Sequence, residues 1–172
     1  QKAITRRTKA IIVNSPNNPS GRVYPEEVFV ELGRLLKNRP RIVVISDEPY
    51  RKLVYDGRCV PSVLKHLPNS VVVTSASKEL SLAGQRIGYI AVGGGIQDKP
   101  KFIGALVLAT RILGFVNAPA VMQKVYAAGL KSGESVDVSL YKRRRDLFTG
   151  ILDSVGLTYA PPEGAFYLFV KS

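Results

Sequence analysis
Val71-Val72-Val73-Thr74-Ser75-Ala76-Ser77-Lys78 runs from four β-branched residues straight into a polar cluster that ends in a lysine. A run of that kind reads as a buried strand whose carboxyl end opens onto something polar. Two upstream stretches repeat the pattern. Ile42 to Ile45 gives way to Ser46, Asp47 and Glu48, and Lys9 to Val13 gives way to a turn-rich loop, Asn14 to Gly21, holding two prolines and three asparagines. A fourth run, Ile87 to Val92, precedes Gly93 to Gly95. After the first strand, Pro25, Glu26 and Glu27 open a helix in which Val28, Leu32, Leu35 and Leu36 recur at helical spacing until Asn38 to Pro40. Continuous apolar strands separated by helical segments predict an α/β fold in three layers, a mainly parallel sheet covered on both faces. Ligands of such sheets bind beyond the carboxyl ends of the strands, where all three polar clusters fall.

Downstream of Gly95 the spacing becomes helical, over Lys99 to Leu113, Ala118 to Leu130 and a long Val136 to Val155 ended by Gly156. Leu157 to Ala160 and Ala165 to Val170, separated by Pro161 to Gly164, predict a hairpin that starts a new unit. A domain boundary is therefore expected inside the long helix, giving residues 1–145 and 146–172.

Composition narrows the function. At 172 residues, 45% hydrophobic and 22% charged, the chain can bury a core and is neither disordered nor collagenous. No apolar run approaches the roughly 20 residues that cross a bilayer, and Gln1 to Lys9 is too polar and basic for a signal peptide. A cytoplasmic protein without membrane contact is expected. Cys59 and His66 are single, which leaves few ligands for a transition metal. The net charge of +12 raises the question of nucleic acid. However, the basic residues are dispersed, and the densest run, Lys142 to Arg145, lies among Leu140, Leu147, Phe148, Ile151 and Leu152 at helical spacing, which reads as a solvated helix face. No nucleic-acid partner is expected.

Six residues at or near the strand ends form a consistent chemical set: Asn18, Asp47, Tyr50, Ser75, Lys78 and Arg86. A lysine amine at a buried strand end can be partly desolvated and attack a carbonyl. An aspartate can pair with a protonated pyridine nitrogen, tyrosine and asparagine can donate to a phenolate oxygen, and serine with arginine can grip a phosphate. Each also has an ordinary reading. Lys78 can be a surface lysine, Asp47 and Ser75 helix caps, Tyr50 a core tyrosine, Arg86 half of an ion pair and Asn18 a turn residue. Only their joint spacing favours the chemical reading.

SPNNPSG at Ser15–Gly21, SDEPY at Ser46–Tyr50 and SASKELSLAGQRIGY at Ser75–Tyr89 resemble, in order and spacing, the blocks of fold-type I, class I/II aminotransferases. PPEGAFYLFVKS at Pro161–Ser172 resembles the first strands of that family's small domain. The resemblance implies pyridoxal 5'-phosphate (PLP) as cofactor, Lys78 as its covalent anchor and proton carrier, Ser75 and Arg86 on its phosphate, Asn18 and Tyr50 on its phenolic oxygen, and Asp47 on its ring nitrogen. It further implies transfer of an amino group from an amino acid to a 2-oxo acid, and a homodimer. SDEPYRKLVYDG resembles the bacterial aspartate and broad-specificity subgroup, which makes aspartate the expected donor. Family members are roughly twice this length, so the chain starts in the middle of their pattern. On that reading it is a fragment without turnover of its own, lacking the aromatic residue that stacks on the ring and the arginine that binds the substrate carboxylate. PLP-dependent carbon–sulfur lyases and aminocyclopropane-carboxylate synthases share the same blocks, as do non-catalytic domains of transcription regulators. Ser75 and Lys78 also fit the S-x-x-K of serine acylases, whose companion elements S-D-N and K-T-G the chain lacks.

Overall fold
The computed structural model describes residues 3–171; Gln1, Lys2 and Ser172, which include the outer ends of both domain ranges read from sequence, lie outside the described residues. Each apolar run forms a strand: β1 (Ala10–Asn14), β2 (Val43–Asp47), β3 (Ser70–Ser75) and β4 (Gly88–Val92). Together they make a four-stranded sheet in the order β1-β2-β3-β4. β1 pairs with β2 and β2 with β3 in parallel, which brings Asn14 beside Asp47. β3 pairs with β4 antiparallel, Ser75 beside Gly88, so the mainly parallel sheet carries one antiparallel edge. Glycine is required at that pair, because a Cβ on Gly88 would lie 2.3 Å from the Thr74 carbonyl oxygen.

The helices are α1 (Glu26–Leu36), α2 (Val63–His66), α3 (Ala76–Glu79), α4 (Lys99–Ile112), α5 (Ala120–Ser132) and α6 (Val138–Ser154). The acidic pair Glu26 and Glu27 sits in the first turn of α1, where it complements the helix dipole. Asp137 caps α6 by accepting from the Ser139 and Leu140 amides at 2.9 and 3.2 Å. Past the other end, Gly156 takes a φ of +72°, as a left-handed stop does. Two helices of only four residues, α2 and α3, show no periodicity in the sequence because they are too short to have one.

Phe29, Val44, Val63, Leu67 and Val72 form the main core, between the sheet and the layer made by α1 and α2. A second cluster, Ala76, Ile87 and Tyr126, joins α5 to the ends of β3 and β4. Coverage of both sheet faces holds only at the centre. Ile12 on β1 is 71% exposed, and Tyr89 and Ile90 on β4 are also exposed, although the Tyr89 ring lies 5.9 Å from that of Tyr126 on α5. Likewise α6 buries only Leu152 and leaves Leu147, Phe148 and Ile151 in the open.

Two readings of the sequence change. The basic run of α6 is more than a solvated face: Lys142 and Arg145 reach back to Asp56 at 2.7 and 2.8 Å, and the Arg145 side chain is only 14% exposed. These two cations hold the Asp56 carboxyl down to about 2, so the tie between its loop and α6 is intact at neutral pH and loosens only in strong acid. The expected hairpin is reduced to one antiparallel bridge, Tyr159 to Val170, while Pro162 to Ala165 are buried. Their backbone is engaged elsewhere. The Glu163 and Gly164 amides both donate to the Gly21 carbonyl, and the Ala165 amide donates to that of Leu53, which draws the segment across the strand ends. Among the described residues, no helix is long and apolar enough to cross a membrane.

Candidate functional site
The parallel pairing of β1 and β2 ends on two side chains that meet. The Asn14 amide nitrogen donates to the Asp47 carboxylate at 3.2 Å and to the Asp47 carbonyl at 2.9 Å. Its amide oxygen accepts the Asn18 backbone N–H at 2.7 Å, which folds the turn-rich loop back over the strand end. A backbone N–H can only donate, so the orientation of this amide is set: oxygen toward Asn18 and nitrogen toward Asp47. Asp47 is half-buried, and its carboxyl is pushed above the usual carboxylate range, first by burial and then by the neighbouring Glu48. Glu48 is itself buried, accepts from the Ser46 hydroxyl at 2.7 Å and pairs with Arg51 at 2.6 Å.

Three residues past Asp47, the buried Tyr50 hydroxyl lies 2.8 Å from the Tyr167 hydroxyl. Burial chiefly, then the Tyr167 hydroxyl and the Asp47 charge, pushes the Tyr50 phenol well above its ordinary value, while the Asn18 side chain beside it pulls the other way. At neutral pH Tyr50 is therefore a neutral hydrogen-bond donor.

Ser75 closes β3 and caps α3, with its hydroxyl accepting the Ser77 amide at 3.0 Å. The capping role is realised, and it fixes the start of the helical turn that carries Lys78. Lys78 is half-buried, with Nζ 5.1 Å from the centre of the Phe166 ring. From α5, Tyr126 holds the next residue, its hydroxyl donating to the buried Glu79 carboxylate at 2.7 Å. Arg86 follows the 3-10 turn Ala83–Gln85 with a left-handed φ of +50°. It is exposed, two residues from the Gly88 that pairs with Ser75, and its guanidinium donates to the Ala83 carbonyl at 3.0 Å rather than to Ser75.

The structure thus brings Asn18, Asp47 and Tyr50 together through shared contacts at the ends of β1 and β2. Lys78 joins them through Phe166, whose ring meets that of Tyr50 edge-on at 5.4 Å. Ser75 and Arg86 lie on the adjoining side, at the β3–β4 pair, and their hydrogen bonds go to other partners.

Phe166 and Tyr167 were not singled out in the sequence, nor was Asn14. A buried carboxylate seats the aromatic pair: Glu163 binds Arg58 at 3.0 Å, Arg22 at 3.3 Å and the Val23 amide at 2.9 Å. Gly21 makes room for the segment, with a φ of +67° and a hypothetical Cβ only 2.9 Å from the Pro162 Cβ. On its other side Phe166 stacks against Tyr141 of α6, centroids 6.0 Å apart at 23°. The signal available beforehand was the Pro-Glu-Gly turn followed at once by two aromatics, at Pro162 to Tyr167.

A primary amine, a half-buried carboxylate, a neutral phenol, an amide, and a hydroxyl with a nearby guanidinium make up a donor set suited to a flat, phosphorylated pyridine aldehyde. The half-buried Asp47 is the most informative member. Its carboxylate takes a single side-chain hydrogen bond, from Asn14, which leaves capacity for a protonated ring nitrogen. Among the described residues, no group of three or more His, Cys, Asp or Glu could hold a metal ion.

A family model described as aminotransferase class I and II matches residues 1–171. The chain is 34% identical over 178 residues to the aspartate/prephenate aminotransferase of Thermus thermophilus, spanning 100% of this chain and 44% of that protein. It is 33% identical over 167 residues to the aspartate aminotransferase of Thermotoga maritima, spanning 96% of this chain and 42% of that one. Among solved structures, an amino transferase from Eubacterium rectale superposes with a TM-score of 0.93 at 43% identity, covering 99% of this chain and 44% of the other. The Thermus thermophilus aspartate aminotransferase with maleate gives 0.83 at 34% identity, covering 98% and 44%. The chain spans less than half the length of each of these proteins.

Proposed function
From the premise that this chain belongs to the class I and II aminotransferase family, we propose that it carries the cofactor-holding part of a PLP-dependent aminotransferase. The observation that supports this most is that Tyr50 and Lys78 both meet Phe166, with Asp47 three residues before Tyr50 at the carboxyl end of the parallel β1–β2 pair. PLP, when bound, supplies an aldehyde that condenses with primary amines and a protonated pyridine ring that draws electron density from the substrate's α-carbon. Lys78 would anchor the cofactor through Nζ and would act as the general base toward the substrate's α-carbon. Asp47, whose proton affinity is raised by burial and by Glu48, would pair with the ring nitrogen, and the positive ring would favour its ionised form. Tyr50 and Asn18 would donate to the phenolic oxygen, and Ser75 with Arg86, whose guanidinium here donates to the Ala83 carbonyl, would hold the phosphate.

The substrates on this reading are an amino acid and a 2-oxo acid. Aspartate is the favoured donor, since two relatives at 33–34% identity carry that name. The active assembly is a homodimer, and the cofactor-binding unit ends within α6, near residue 145. The protein is cytoplasmic. To test the activity, the whole protein carrying this chain is incubated with PLP, aspartate and 2-oxoglutarate, and products are identified by mass. Matched amounts of glutamate and oxaloacetate support the reading; release of ammonia or of a β-substituent without a second amino acid would assign a lyase.

A further inference from the structure
Asn14 plays no part in the cofactor contacts assigned above, yet it touches two of the residues that do. It sits at the last position of β1, paired in register with Asp47. Its amide is used from both ends, the nitrogen on the Asp47 carboxylate at 3.2 Å and the oxygen on the Asn18 N–H at 2.7 Å. Asn17 adds a further hydrogen bond to the Asn14 carbonyl at 3.3 Å, so the loop is tied down at the strand end. From this geometry we infer that Asn14 is a positioning residue: it holds one carboxylate oxygen of Asp47 so that the other faces the cofactor's ring nitrogen, and in the same stroke sets the loop that carries Asn18. The inference rests on the cofactor reading given above.

The choice of side chain is informative. A cation in place of Asn14 would pair with Asp47 and compete with the protonated ring for the same charge. An acid would repel it. An amide orients the carboxylate through a neutral hydrogen bond and leaves its charge available. The amide donates to Asp47 and accepts from the Asn18 N–H at the same time without adding charge. The groups facing Asp47 are Asn14, Glu48 next in the chain, and Tyr50 beyond it.

The test measures cofactor affinity by equilibrium titration of the whole protein with PLP and with its analogue in which the ring nitrogen is replaced by carbon. Wild type should prefer PLP. Asn14→Ala should lose about tenfold of the preference for PLP over the analogue, about 1.4 kcal/mol, on top of any weakening shared by both molecules through the Asn18 loop. Asn14→Asp can still accept from Asn18 but cannot donate to an ionised Asp47, and it should lose the preference for PLP to at least the same extent. A preference for PLP that stays at the wild-type level in both variants, whether or not binding of both molecules weakens equally, would reduce Asn14 to a structural role and overturn the inference. If wild type itself does not distinguish the two molecules, the assignment of Asp47 to the ring nitrogen is what fails.

Discussion
In the whole protein carrying this chain, Lys78→Ala is expected to abolish transamination and to leave any bound PLP without its covalent attachment. Losing a positioned general base alone costs about 10²–10⁴-fold in rate, and Lys78 is also the anchor, so the two losses compound. Little compensation is available nearby. Lys78 is the lysine whose Nζ lies over Phe166, and the next residue, Glu79, is committed to Tyr126. The variant should remain folded, because Lys78 is half-buried and makes no hydrogen bond or ion pair with the described residues. Steady-state assay of aspartate turnover, with circular dichroism to verify the fold, reads both parts. Turnover near the wild-type rate would remove Lys78 from the mechanism.

Asp47→Ala should be the next most severe. On the proposed reading Asp47 would keep the ring nitrogen protonated, and a carboxylate in a partly dry setting stabilises a positive partner far better than water does. Removal of one such preorganised partner costs about 10²–10³-fold in kcat. The KM for the amino acid should move much less, because the proposed role places Asp47 on the cofactor ring and not on the amino acid. A proportionate rise in KM with kcat unchanged would indicate that Asp47 shapes substrate binding instead. Asn14 is left without its carboxylate partner in this variant, and part of the loss then reflects a loosened Asn18 loop.

Much of this was legible before the structure, for physical reasons that differ by residue. The strands could be read because β2 and β3 are buried near the centre of the sheet, so their residues are apolar in unbroken runs. Asp47 and Lys78 stood out because polar residues interrupt those runs at the strand ends. The antiparallel direction of β4 left no such mark, since pairing direction depends on how the twelve residues from Ala76 to Ile87 turn, through α3 and a 3-10 turn too short to show a period. Phe166 and Tyr167 were hidden for another reason: they reach Tyr50 across more than a hundred residues, held by Glu163 contacts to Arg22, Arg58 and the Val23 amide that no local pattern encodes. Asn14 looked like the first residue of a turn, and only the β1–β2 register shows that it faces Asp47. Arg145 read as one of several solvent-facing cations, whereas in the fold it lies over the Tyr55 ring at 4.6 Å and pairs with Asp56.

The central claim is that one particular lysine holds the cofactor. Reducing the PLP-loaded whole protein with borohydride fixes the cofactor to whichever lysine bears it, and peptide mass analysis then locates it. The account predicts the phosphopyridoxyl mass on the peptide that contains Lys78 and on no other. Its appearance on a different lysine, or a fully loaded protein that yields no labelled peptide, would contradict the account.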